Sequence, residues 1–127
     1  MNRAVADASA VLAFAVREAG WETAMPLLRG SLISAVNAAE VTSRYIAEGG
    51  SMTSTRGMLD DLYVVVSPFD AEQAFHTGEL HRQTRPYGLS LGDCACLALA
   101  RARNLPVVTA DRAWRSLPLD LEVVLIR

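Results

Sequence analysis

Arg3-Ala4-Val5-Ala6-Asp7-Ala8-Ser9-Ala10-Val11-Leu12 runs from a short apolar stretch through a single acid into an Ala-rich helical pattern. Arg3 to Ala6 reads as a strand and Ala8 to Ala19 as a helix, with Asp7 at the junction. A strand that passes directly into a helix is half of a βαβ unit, and such units build parallel sheets.

The same alternation continues outward from this stretch. A second short helix is expected over Trp21 to Arg29, before a strand at Ser31 to Ser34. Ala35 to Glu48 is helical and stops at Gly49-Gly50. Thr53 to Tyr63 forms another helix, followed by a strand at Val64-Val65-Val66. Asp70 caps a helix reaching about Arg85, and Gln73 completes a capping-box pattern. Pro86-Tyr87-Gly88 breaks the chain. Leu91 to Arg103 is the most hydrophobic helix, Pro106 to Thr109 the next strand and Leu121 to Ile126 the last. The expected fold class is α/β: a mainly parallel sheet of about five strands with helices on both faces, a three-layer α/β/α arrangement. Residues 1–127 form one domain, long enough to bury a core. There is no repeat, linker or low-complexity segment.

Half of the chain, 51%, is hydrophobic, which excludes a disordered protein. The apolar N-terminal run is broken by Asp7 and followed by Arg17 and Glu18, which argues against a signal peptide. No stretch is long enough to span a membrane, so cytoplasmic residence is the expectation. Cys94 and Cys96 lie two apart on a helix and face different directions, so they read as buried small apolar residues. His76 and His81 stand about 140° apart around a helix axis and make a poor metal pair.

All 12 basic residues are Arg, and the formal net charge is −2. The charge alone does not point to nucleic acid. Setting aside Asp7, Glu40, Asp93 and Asp111 leaves twelve Arg against ten acids, a mildly basic surface. Arg also suits bidentate phosphate contacts.

Those four acids carry the chemical argument. Each falls just after a strand end or just inside a helix: Asp7 in AVADASAV, Glu40 in ISAVNAAEV, Asp93 in GLSLGDCACLALA and Asp111 in VVTADRAW. Singly, each has a structural explanation. Asp7 and Asp111 can cap helices, Asp93 can form a capping box with Ser90, and Glu40 can be solvated. Together they share one sheet edge, the carboxyl ends of parallel strands, where ligands bind in α/β folds. Carboxylates converging there repel one another unless a hard cation such as Mg²⁺ or Mn²⁺ sits between them. Ser9, Ser34, Asn37 and Thr109 accompany them and can orient a carboxylate or serve as caps.

The ordered set resembles the PIN-domain family, and within it the VapC toxin ribonucleases of bacterial type II toxin–antitoxin pairs. The carrying residues are Val5 to Ala10, Ile33 to Val41, Leu89 to Ala100 and Val108 to Trp114, nearly end to end in the family's order. One departure is Ala6, where the family usually has a larger aliphatic residue. The resemblance implies that Asp7, Glu40, Asp93 and Asp111 are metal-binding acids, with Ser9 and Thr109 assisting catalysis. It implies a Mg²⁺-dependent endoribonuclease that hydrolyses RNA phosphodiesters with metal-activated water. It also implies an antitoxin partner and a homodimer. Surfaces beside Trp21 to Arg29 and Ala38 to Ile46 are the candidate antitoxin docking grooves.

Phosphorelay receivers and aspartyl-phosphate phosphatases also place acids at strand ends, but both rely on a site Lys, and this chain has none. The remaining alternatives are a PIN-fold protein-binding module and a stand-alone nuclease without a toxin role.

Overall fold

The structure, a computed structural model, describes residues 3–127. The strands are β1 (Val5–Ala6), β2 (Leu32–Ser34), β3 (Val65–Ser67), β4 (Val107–Thr109) and β5 (Val123–Leu125). They form one sheet in the order β3-β2-β1-β4-β5, and every neighbouring pair is parallel. The helices are α1 (Ala8–Val16), α2 (Trp21–Leu28), α3 (Ala35–Ala47), α4 (Met52–Asp61), α5 (Ala71–Gln83) and α6 (Leu91–Arg103).

Strand side chains alternate between faces, and each face carries its own core. Ala4, Ala6, Ile33 and Val108 pack with residues of α1 to α4, including Val11, Leu28, Val41 and Leu59. Val5, Leu32 and Val107 pack on the other face with Leu80 of α5, Leu97 of α6 and Trp114. Helix α6 is buried from Cys94 through Ala100 without interruption, which explains its apolar sequence. Cys94 and Cys96 are buried and form no disulfide among the described residues, and the Cys94 thiol lies 3.4 Å from Thr84 Oγ1. Ala6, smaller than the expected aliphatic, is fully buried.

The chain steps from β1 to β2 to β3 in one direction. Helices α5 and α6 then return it to β4 on the opposite side of β1. The strand order therefore reverses between β1 and β4, and a crevice opens at their carboxyl ends. Asp7 N–H donates to Val108 O across this junction at 2.9 Å.

Two element bounds differ from expectation where a residue takes the left-handed region, and others follow local capping. Helix α1 stops at Val16 because Arg17 has φ 58°, and its guanidinium lies 4.8 Å from the Phe14 ring centroid and 4.3 Å from that of Trp21. Strand β3 starts one residue late because Tyr63 has φ 55° and Val64 N–H is still bonded to Leu59 O. Ser51 and Ser54 form a capping box that starts α4 at Met52. Asp70 accepts from Gln73 N–H at 2.9 Å, but no return bond from the Gln73 side chain completes a box among the described residues. Helix α5 ends at Gln83, and Arg85–Tyr87 form a 3-10 turn instead of a helical end. Among the described residues, no helix is long and apolar enough to cross a membrane.

Candidate active site

Asp7 follows β1 and occupies the N-cap position of α1, yet its side chain makes no capping bond. Its carboxylate turns instead to the neighbouring strand end. Ser9 Oγ donates to Asp7 Oδ2 at 2.6 Å and Thr109 Oγ1 donates to the same oxygen at 2.8 Å. Each hydroxyl also accepts from the backbone after β4: Ala110 N–H to Ser9 at 3.0 Å and Asp111 N–H to Thr109 at 3.0 Å. Both hydroxyl protons are committed to Asp7, so the 3.2 Å approach of Ser9 Oγ to Thr109 Oγ1 is a contact and not a further bond. Asp7 Oδ1 accepts nothing among the described residues and remains for the cavity.

That cavity measures about 190 Å³ and is lined by Asp7, Ala8, Ser9, Leu12, Glu40, Arg44 and Asp93. Asp7 is only 4% exposed, and its pKa is raised to about 6. Burial is the largest cause. The Ser9 and Thr109 hydrogen bonds act against it, and the charges of Asp93 and Glu40 add to it. Asp7 thus feels the charges of both other acids.

Asp93 both caps α6 and lines the cavity. Its Oδ2 accepts from Ser90 N–H at 2.9 Å while Ser90 Oγ accepts from Asp93 N–H at 3.1 Å, closing the capping box of α6. Its other oxygen is free of that box. Glu40, on α3, accepts from Asn37 Nδ2 at 2.7 Å, and the same amide donates to Gly92 O at 3.0 Å. Arg44 follows Glu40 by one helical turn and therefore shares its face of α3. It makes no ion pair with any of the three carboxylates.

Asp111 stands apart. It does not line the cavity, and its Oδ1 accepts from Ala113 N–H at 3.0 Å, capping the 3-10 turn Arg112–Ser116. Its backbone, through Thr109, is what reaches the site. The expectation of four converging carboxylates is thus met by three around one cavity. Among the described residues, no three Asp, Glu, His or Cys side chains form a preassembled metal-binding group. The donors that face the cavity are nevertheless all oxygens, the set that Mg²⁺ and Mn²⁺ prefer. Neither His lines it, and His76 is exposed beside Glu72 on α5 at 3.6 Å. A hard cation fits this donor set and would offset the disfavoured charge on Asp7.

Comparison with known proteins follows the same outline. The model of the PIN domain family matches residues 4–118. The chain belongs to the PIN domain family. No curated protein sequence matches it. Among solved structures, it is similar to a chain of a toxin–antitoxin complex from Klebsiella pneumoniae, with 19% identity, a TM-score of 0.77 and 98% of each chain covered. It is also similar to VapC20 of Mycobacterium tuberculosis, a sarcin-ricin loop cleaving toxin, with 15% identity, a TM-score of 0.73, and 91% of this chain and 95% of that one covered. A chain of DNA-bound VapBC from Salmonella typhimurium matches with 18% identity, a TM-score of 0.71 and full coverage of both chains. At these identities the likeness is one of fold.

The cavity of this PIN domain is also lined by Arg44, which sequence reading did not single out. Arg44 had a readable signal, its i+4 spacing from Glu40 on one helix face.

Proposed function

We propose that the chain is a Mg²⁺-dependent endoribonuclease and the toxin of a toxin–antitoxin pair. The observation that carries this reading is Asp7. It is a carboxylate buried at the sheet's reversal point, free of any capping role, with Glu40 and Asp93 around the same cavity. An acid held there in a state that opposes its own ionisation serves folding poorly and suits a cation-binding site well. Membership of the PIN family and likeness to a toxin described as cleaving the sarcin-ricin loop support RNA as the substrate.

Asp7, Glu40 and Asp93 would hold the metal, with Asp111 nearby after β4. A bound Mg²⁺ supplies charge neutralisation at the phosphoryl oxygens and a lowered pKa for water. The chain's own residues do the rest. Ser9 and Thr109 fix one oxygen of Asp7 and leave the other toward the cavity. Arg44, at the cavity wall and without an ion pair among the described residues, offers its planar donors to a phosphate of the substrate. No imidazole or Lys amine is available at the site, so proton acceptance falls to carboxylates and solvent.

Purified protein should cleave a structured RNA in Mg²⁺ or Mn²⁺, stop in EDTA and leave 5′-phosphate ends. Activity that persists in EDTA, or 2′,3′-cyclic phosphate ends, would show attack by the RNA's own 2′-hydroxyl and overturn the metal reading.

The toxin role draws on the fold's resemblance to chains of toxin–antitoxin complexes. Met25 on α2 and Ile46 on α3 are exposed apolar residues on the two helices proposed for antitoxin docking. Leu91 is exposed at an apolar cavity that Val36, Phe69 and Ala95 also line, which supports a second copy as a further partner. Expression alone should arrest growth of a bacterial host, and co-expression with the adjacent gene product should restore it. Harmless expression of soluble wild-type protein would remove the toxin role and leave the nuclease role standing.

A further inference from the structure

Asn37 is completely buried, yet its amide is only half satisfied. Its Nδ2 bonds Glu40 Oε1 at 2.7 Å and Gly92 O at 3.0 Å, while its Oδ1 has no partner among the described residues. The amide cannot be turned to correct this. A flipped Asn37 would aim its oxygen at a carboxylate and a carbonyl, two acceptors with no proton to give. A buried acceptor without a donor is destabilising, so an apolar side chain would serve the core better at this position.

Gly92 completes the arrangement from the other side. A Cβ there would stand 2.7 Å from Glu40 Oε1 and 3.0 Å from its Cδ and Oε2. The Glu40 carboxylate therefore occupies the space that any other residue at position 92 would fill. A flexible side chain from the otherwise exposed flank of α3 is thereby held against the first turn of α6, beside Asp93.

We propose that Asn37 and Gly92 form a cradle that fixes the Glu40 carboxylate against α6, making Asn37 a positioning residue for the cavity. This deepens the metal-site reading and rests on it. Asn37 touches neither substrate nor cation; it removes the rotamer freedom of Glu40, which a ligand would otherwise have to restrict on binding. The half-satisfied amide is then explained by function, since its retained bond serves the carboxylate and not the core.

The cleanest test is Gly92→Ala. Alanine favours helix over glycine, and the group that must give way is the end of a flexible side chain. The metal-free melting temperature should stay level or rise, while the Mg²⁺ concentration giving half of the thermal stabilisation should increase about tenfold or more. Asn37→Ala should raise that concentration similarly. Neither substitution should alter the residual Mg²⁺ response in a Glu40→Ala background, because both act only through Glu40. If Asn37→Ala does not fold, Gly92→Ala carries the test alone.

A wild-type Mg²⁺ response left unchanged by Gly92→Ala would overturn the cradle and leave the metal site intact. So would an Asn37→Ala loss that persists undiminished without Glu40. A wild type whose stability ignores both Mg²⁺ and Mn²⁺ would sink the metal reading and the cradle with it.

Discussion

Asp93→Asn is expected to abolish RNA cleavage while leaving the metal-free protein as stable as the wild type or more so. The substitution separates the cap that Asp93 forms from the metal-binding role proposed for it. Its Oδ2 accepts from Ser90 N–H at 2.9 Å in the capping box of α6, and the carbonyl oxygen of Asn can take over that bond. The amide cannot, however, supply the negative charge a hard cation requires. Loss of a metal-binding carboxylate removes several kcal/mol of charge stabilisation, a fall in rate of roughly 10² to 10³ or greater. Stability moves the other way, because the charge of Asp93 is one of the causes that raise the Asp7 pKa. Cleavage rates and metal-free melting curves decide the matter. Full activity, or a markedly lower melting temperature without metal, would make Asp93 a capping residue and nothing more.

Asp93 was legible twice over, as a cap from its spacing to Ser90 and as a cavity acid from its place in the ordered set. Ser90 and Asp93 at capping-box spacing, ahead of an unbroken apolar run, define the start of α6 from sequence alone. The same spacing explains the residue fully as a cap, so the candidate site role came from its company with the other acids and not from the local pattern. Asp7 is the opposite case. As the residue between a strand and a helix it invites the capping interpretation, which the structure excludes, because its carboxylate bonds Ser9 and Thr109 instead. Thr109 lies 102 residues from Asp7 in the chain, and only the adjacency of β1 and β4 brings them together. That adjacency depends on a crossover whose side of the sheet no local periodicity specifies.

The sheet itself was readable because each strand is a short apolar run closed by a turn signal or helix start. The offsets arise where Arg17 and Tyr63 adopt positive φ without the glycine or asparagine that usually marks it. Asp111 was grouped with the other acids on position after a strand. Its own side-chain bond to Ala113 N–H turns it toward the 3-10 turn, a local interaction of one residue's reach that strand-end logic overlooks. Asn37 was visible as a polar residue near Glu40. Its partner Gly92 was not, because a close approach between helices α3 and α6 is a tertiary fact.

Asp7→Asn should produce the largest gain in metal-free stability, and its size should depend on pH in a defined direction. The folded-state pKa of Asp7 is raised from 3.8 to about 6, chiefly by burial. In the window between these values the folded protein binds a proton that the unfolded chain has released, so stability falls as pH rises. The contribution of the protonated acid is complete below the unfolded pKa and lost as pH rises through about 6. At neutral pH and above, ionised Asp7 destabilises the metal-free fold by up to about 3 kcal/mol, at 1.36 kcal/mol per pKa unit. The Asn variant escapes this cost, and its side-chain oxygen can still accept from Ser9 and Thr109. The difference between the two proteins should therefore be flat and in favour of Asn above pH 7, then shrink toward zero as pH falls through 6 to 4. Taking the difference cancels the contributions of groups that do not interact with Asp7. Mg²⁺ should reverse the order at neutral pH, since only the wild type gains from binding a cation at position 7. Denaturant melts at several pH values, with and without Mg²⁺, measure all of this. An Asn variant less stable than wild type in EDTA at pH 8 would mean that ionised Asp7 supports the fold, and would remove the physical basis for assigning it to a metal site.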